Sequence, residues 1–382
     1  MNKCAVLTFV AMAVMAVGCS RERMSGKIAV TFEVDAPGLD PDAVVYLAGN
    51  LPEFGEWLAD GVVMSRQESD RWRVVVAMPY GARLEYKITL GDWSREALGE
   101  NRDALPNYTL AATRNQTVRH RVTEWKMPAE AQASTLTGEV RYHPGITADG
   151  VAPRDIVVWL PPGYDESHER YPVLYMHDGQ NIVDAATSFI GIEWGVDETA
   201  DRLIREGRMM PVIVVGIYNT PQRMDEYGAG ELGAAYRRFV VEEVKPMIDA
   251  TYRTRPEREH TATMGSSMGG LVAFLLAWQH PGVFRQAASL SPAFFPEVVA
   301  DVQAAPSAPE GMRLYMDNGT EGLEQRIQEY CDAMMAVLPE KGFAEGDNFM
   351  WFLDEGAEHN EAAWAARLER PLLFLFGVDP AP

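Results

Sequence analysis

The chain has 382 residues, 47% of them hydrophobic, with 34 Lys and Arg against 55 Asp and Glu. That length exceeds what one hydrophobic core usually serves and predicts two domains, and the apolar fraction argues against a disordered or fibrous chain. A formal net charge of −21 argues against sequence-independent attraction to nucleic acid or anionic headgroups, and no apolar run beyond the N-terminus is long enough to span a bilayer.

Met1–Asn2–Lys3 gives a short positive start, and Ala5 to Val17 is an unbroken small and apolar run. Its length suits the apolar region of a signal peptide over residues 1–18. The run ends Ala16–Val17–Gly18–Cys19, which resembles the lipobox of bacterial lipoproteins. The resemblance implies cleavage before Cys19, acylation of that residue, and membrane attachment through lipid alone. Ser20 in place of Asp favours passage to the outer membrane, at its periplasmic face or the cell surface. Removal of the leader leaves Cys19 and Cys331, too few thiols for a disulfide framework or a Cys-rich metal site.

From Lys27 the pattern has period two. Ile28, Val30, Phe32 and Val34 alternate with smaller or polar residues, as do Trp72, Val74, Val76 and Met78, then Leu84, Tyr86 and Ile88. Pro37-Gly38, Gly49-Asn50, Pro79-Tyr80-Gly81 and Gly91-Asp92 break the runs, so residues 27–125 read as a small all-β sandwich. Within it, Gly49 to Trp57 (GNLPEFGEW), Trp72, Glu85-Tyr86-Lys87, Trp93 and Asn101-Arg102 follow an order that resembles the starch-binding carbohydrate modules. The resemblance implies a flat stacking platform of Trp57 and Trp93, with Lys87 and Asn101 bonding sugar hydroxyls of a polysaccharide. An indole face suits the C–H face of a pyranose. Trp72, in strand alternation, is expected in the core.

Residues 126–134 lack alternation and contain Pro and small residues, which predicts a linker. From 135 to 382, short apolar runs (156–160, 172–176, 212–215, 261–264, 313–316 and 349–352) alternate with helical segments at 236–250, 270–278 and 323–338. Continuous apolar strands separated by helices predict an α/β domain with a mostly parallel, doubly covered sheet.

Gly265-Ser266-Ser267-Met268-Gly269-Gly270 joins the run ending at Met264 to a helix, and only Ser267 fits the frame G-x-S-x-G. Such a strand–turn–helix forces the serine into strained backbone geometry and lifts its hydroxyl above the sheet. A serine nucleophile needs an imidazole base held by a carboxylate, in the chain order Ser, acid, His. Of the two later histidines, His280 ends the elbow helix, whereas His359 lies in a loop after the last apolar run. His359 is therefore the expected base. For the acid, Glu324 is favoured because it shares a helix face with Ile327 and Cys331, with Asp317 and Glu321 as alternatives. The oxyanion donors are expected to be the N–H groups of Met268 and Gln180, the latter in the loop His177-Asp178-Gly179-Gln180-Asn181. His177 precedes the serine and reads as packing.

The stretches YPVLYMHDGQN (171–181), RMDEY (223–227), GSSMGG (265–270) and GAEHNEAAW (356–364) together resemble the esterase family that includes feruloyl and enterochelin-type esterases, S-formylglutathione hydrolase and mycolyltransferases. The resemblance covers roughly 135–377 and implies an α/β-hydrolase fold and serine-dependent ester hydrolysis through an acyl-enzyme, with no metal or cofactor. Joined to a carbohydrate module it points to a glycan-linked feruloyl or acetyl ester. A siderophore esterase, an acyltransferase and a non-catalytic surface glycan-binding lipoprotein are the alternatives. Arg223 and Glu226 are read either as pocket lining or as structural ion pairs.

Overall fold

Alternation with period two becomes two four-stranded sheets in the computed structural model, which describes residues 27–378 apart from 41, 56, 68–69, 100–104 and 127–132. Cys19 and Asn101 lie outside the described residues. One sheet orders its strands Ser65–Arg66, Arg71–Pro79, Lys27–Asp35 and Gln116–Arg121; the other orders Val62–Val63, Tyr46–Gly49, Arg83–Thr89 and Tyr108–Ala111. Lys27–Asp35 runs antiparallel to Arg71–Pro79 and parallel to Gln116–Arg121. Their inward residues, among them Val30, Phe32, Val34, Met78, Leu84 and Ile88, are buried, and Trp72 joins them at 1% exposure, as its alternation predicts. Phe32 meets Phe54 and Tyr86 edge to face, which seals the sandwich core.

This unit takes the described residues up to Trp93 together with Pro106–Thr123. Ser94 to Leu105 and the chain from Glu124 onward belong to a second unit. Accordingly Ala97–Leu98 pairs antiparallel with Glu124–Trp125, and the Lys126 amide donates to the Glu96 carbonyl. The division thus crosses the stretch that composition alone assigns to one module and a linker.

The second unit is built on eight strands: β1 (Glu139–Ala148), β2 (Val151–Leu160), β3 (Val173–His177), β4 (Ile213–Ile217), β5 (Thr261–Ser266), β6 (Gln286–Leu290), β7 (Arg313–Gly319) and β8 (Phe349–Asp354). Their order is β1-β2-β4-β3-β5-β6-β7-β8. β1, β2 and β4 pair antiparallel, and every pairing from β4 to β8 is parallel. Helices cover both faces, the arrangement of an α/β-hydrolase. On one side the helix Met268–Gln279, apolar around its circumference, buries Leu271, Val272, Phe274 and Leu275. On the other side Trp194, Leu203, Leu372 and Leu375 pack against Leu174, Met176 and Met264.

Two strands carry no clear signal in the sequence. β6 reads Gln-Ala-Ala-Ser-Leu, small because the elbow helix presses on it: a Cβ on Gly270 would stand 3.1 Å from the Leu290 carbonyl oxygen. β1 is an edge strand whose residues are exposed or half-buried, so no apolar run is required there. The helical segment expected from Tyr236 begins at Glu231 and contains a π-helical turn at Val240–Val244.

Beside this core Arg154 and Glu226 form a wholly buried ion pair, Nη2 to Oε1 2.5 Å and Nη1 to Oε2 3.1 Å, with the Thr220 hydroxyl donating to Oε2 at 2.8 Å. Glu226 is therefore structural and does not line a pocket. Removing one partner leaves a buried charge uncompensated. Glu226→Ala should lower unfolding free energy by about 3–5 kcal/mol in urea titration, while Glu226→Gln, which keeps an acceptor for the guanidinium, should lose less.

Candidate active site

The chain turns from β5 into its helix at Ser267, with φ 56° and ψ −122°. A non-glycine residue at positive φ is strained and persists only where its surroundings hold it. Three backbone bonds do so here: the Ser267 amide donates to the Leu290 carbonyl, and the Ser267 carbonyl accepts from the Leu271 and Ala293 amides. The neighbouring glycines are obligatory, because a Cβ on Gly265 would lie 2.6 Å from the backbone of Gly269. The hydroxyl thus sits half-exposed at the N-terminus of a 12-residue helix, where negative charge is favoured.

Two strands further along the sheet, the loops after β7 and β8 are tied together. The Thr320 and Glu321 amides both donate to the Ala357 carbonyl at 3.1 Å, and Gly319 leaves no room for a side chain against it. This brings His359 Nδ1 to 3.1 Å from Glu324 Oε2. Glu324 opens the helix Glu324–Val337 on the face that buries Ile327 and Cys331, and it has no exposed surface. Its other oxygen accepts from Ser291 Oγ at 2.6 Å, and that hydroxyl accepts from Trp364 Nε1 (3.0 Å) and Arg367 Nη2 (2.8 Å).

Of the three carboxylates open in the sequence, only Glu324 reaches the imidazole. Asp317 is buried and occupied, taking Arg367 at 3.1 Å, the Tyr315 hydroxyl at 3.1 Å and the Ser291 amide at 3.2 Å. Glu321 is exposed. His280 caps the far end of the elbow helix. The ring of His359 stands edge-on to Trp364, with centroids 5.0 Å apart. No hydrogen bond joins Ser267 Oγ to His359 among the described residues. The two are linked through the segment Leu290–Ala293, whose backbone grips Ser267 and whose Ser291 side chain grips Glu324. Ser291 and Arg367 escape sequence reading, since each is a common residue whose role depends on partners distant in the chain.

Gln180 and Met268 each lie in the first turn of a helix, so their N–H groups have no partner within it. The turn at Gly179–Asn181 follows Asp178 at φ 59°, and Gly179 passes so close to Gly216 that a Cβ would overlap its carbonyl at 2.3–2.6 Å. Asp178 anchors this turn. Arg223 grips it bidentately at 2.6 and 2.7 Å, and Asn219 Nδ2 donates to it at 2.6 Å. Burial pushes the Asp178 carboxyl upward, but the guanidinium outweighs that and holds it below the usual carboxylate range. Arg223 is therefore a structural partner of the turn. Asp178 also lies against the elbow helix, its Oδ2 3.1 Å from where a Gly269 Cβ would stand.

His177 is wholly buried between the Tyr236 hydroxyl (2.8 Å) and Thr263 Oγ1 (3.1 Å), and burial lowers its pKa to about 3, so it stays neutral. Glu361, two residues past His359, is buried with Asn181 Nδ2 at 3.4 Å, and burial raises it to about 7.

In the first unit, Trp57 and Trp93 come together with centroids 6.5 Å apart and planes inclined at 43°. Both are half-buried, and Lys87 sits in the strand Arg83–Thr89, in register with Ala48. The two indoles are therefore tilted and not coplanar, and Trp57 sits at φ 70°.

A family model described as "Putative esterase" matches residues 152–375, and a starch-binding-domain model matches 27–122. An endo-1,4-beta-xylanase/feruloyl esterase of Xylanibacter ruminicola is 27% identical over 237 residues, 57% of this chain and 29% of that protein, so the chain spans under a third of its length. A Bacillus subtilis protein, "Uncharacterized protein YbbA", is 21% identical over 246 residues, 59% of this chain and 94% of its own. Among solved structures, the enterobactin esterase of Shigella flexneri aligns over 90% of this chain and 92% of its own with a TM-score of 0.54 and 16% identity, a likeness of fold. With more than half of its length matched, the chain belongs to this esterase family and carries a starch-binding domain ahead of the esterase domain.

Proposed function

We propose that the protein is a serine-dependent carboxylic ester hydrolase with Ser267 as nucleophile, His359 as base and Glu324 as the acid that orients it. The observation that carries this reading is the hydrogen bond that His359 Nδ1 donates to buried Glu324, which leaves Nε2 for a serine hydroxyl. Ser267 Oγ attacks the ester carbonyl while His359 takes its proton. The N–H groups of Met268 and Gln180 receive the developing oxyanion. His359 then returns the proton to the departing alcohol, and water repeats the sequence on the acyl-enzyme. Long hydrogen bonds between nucleophile and base are common before substrate closes the site.

Two ester classes have support. Likeness to an enterobactin esterase runs through 90% of the chain, module included, which favours a siderophore-type ester. The xylanase/feruloyl esterase relative matches 57% of the chain and, with the starch-binding domain, supports a feruloyl or acetyl ester on a glycan. Parallel assay of both classes at equal concentration decides between them by the larger kcat/KM. Export and anchoring through acylated Cys19 are part of the same proposal, supported by the leader sequence. Intact mass of the membrane-extracted protein should show a mature N-terminus at Cys19 carrying acyl chains.

With 4-nitrophenyl acetate, Ser267→Ala and His359→Ala should each lower kcat by about 10⁴-fold or more, and Glu324→Gln by about 10²–10⁴-fold. Fluorophosphonate labelling should be lost in Ser267→Ala. An unreactive wild-type chain would instead leave a glycan-binding lipoprotein. For the module, Trp57→Ala and Trp93→Ala should each weaken retardation in amylose gels by roughly 5–10-fold, about 1 kcal/mol per lost ring contact, with esterase kcat unchanged.

A further inference from the structure

The esterase unit holds a second group of acids away from the Glu324–His359 pair. Glu193, Asp197 and Glu198 each bring a carboxylate oxygen within 4.8 Å of the others, at the start of the helix Val196–Arg205. Asp197 has no exposed surface. Its Oδ2 accepts from the Thr137 amide at 2.7 Å and the Thr137 hydroxyl at 3.0 Å, whereas its Oδ1 is buried with no hydrogen-bond partner. Glu193 repeats the arrangement: Oε1 accepts from the Thr135 hydroxyl and Oε2 is buried and unpartnered. Among the described residues no ion pair reaches any of the three acids. A fourth, Asp184, is held nearby by Ser134 and the Thr135 amide.

Ordinary helix N-terminal charges account for an exposed acid such as Glu198, but not for two buried carboxylate oxygens left bare beside a third acid. Such oxygens call for a proton or a cation between them. The donor set decides which kind of cation fits. It is oxygen only, with carboxylates and adjacent threonine hydroxyls, and no His or Cys takes part, so it suits a hard ion with flexible coordination.

We propose that Glu193, Asp197 and Glu198 form a Ca²⁺ site. The ion joins the segment Ser134–Thr137, where the chain leads into β1, to the stretch that follows the oxyanion turn. That stretch is anchored to the turn by the Trp194 amide on the Asn181 carbonyl and the Val196 amide on the Ile182 carbonyl. Calcium binding therefore stiffens one wall beside Gln180 without taking part in the chemistry.

The probe is Ca²⁺ itself, added to the purified full chain after chelator treatment and desalting. At about 5 mM, above the roughly 0.1–1 mM affinities of open extracellular sites, it should raise Tm by about 3 °C or more. Mg²⁺ should do less, because the site lacks octahedral order. Asp197→Asn and Glu193→Gln should each abolish the shift, and their calcium-free Tm should match or exceed that of the wild type because repulsion is relieved. Glu198→Gln, at an exposed position, should weaken the shift and serves where a buried variant fails to fold. Isothermal titration should show one Ca²⁺ per chain lost in these variants. A wild-type Tm indifferent to Ca²⁺, or a calcium shift that survives in all three variants, overturns the proposal. The former outcome, with Tm rising only on acidification, would assign the gap to a shared proton.

Discussion

A carboxylate removed from water must be surrounded by donors, and Glu324 organises the esterase unit around that requirement. One oxygen faces His359 and the other faces Ser291, whose hydroxyl is in turn fed by Trp364 and Arg367. Arg367 also compensates Asp317, so one guanidinium from the helix Glu361–Arg367 serves two buried acids on either side of the loop after β7. A charge-assisted hydrogen bond in such a site holds the imidazole in one tautomer and one orientation. Three loops and the helix Glu361–Arg367 thereby share one polar network. An exposed acid such as Glu321 would set no comparable constraint.

The second constraint is steric. Gly179 against Gly216, Gly265 against Gly269 and Gly270 against Leu290 are all places where backbone passes backbone without space for a side chain. These contacts press the turn Gly179–Asn181 onto β4 and the elbow helix onto β6. Ser267 tolerates its positive φ because bonds from Leu290, Leu271 and Ala293 fix it from both sides. Strain at Ser267 is thus held by packing elsewhere in the sheet.

Charge is distributed in keeping with this division of labour. Arg154–Glu226 is a wholly buried pair, and Arg223–Asp178 a partly exposed one that anchors the turn Gly179–Asn181. His177 sits among these groups yet is kept neutral by burial. In the starch-binding domain the indole pair Trp57 and Trp93 remains half-buried, while Trp72, equally aromatic, is consumed by the core.

By itself the sequence determined what depends on local spacing. Period-two runs specified the sandwich, continuous apolar runs specified six of the eight strands, and G-x-S-x-G fixed Ser267, because each signal is written within one strand or turn. Position after the last apolar run marked His359 as the expected base, and the structure sets its ring against Glu324. The acid was not decided in this way, since Asp317, Glu321 and Glu324 lie within eight residues and differ only in which direction the fold turns them. Strand β6 was hidden because its neighbours demand small side chains, and β1 because an edge needs no apolar run. Tertiary structure alone decided the Ser291–Arg367 support, the tilt of the two indoles and the gathering of Glu193 with Asp197 and Glu198 against Thr135 and Thr137. These arrangements arise from burial and hydrogen bonding between residues about 60 or more positions apart in most cases, and such pairing leaves no local pattern to read.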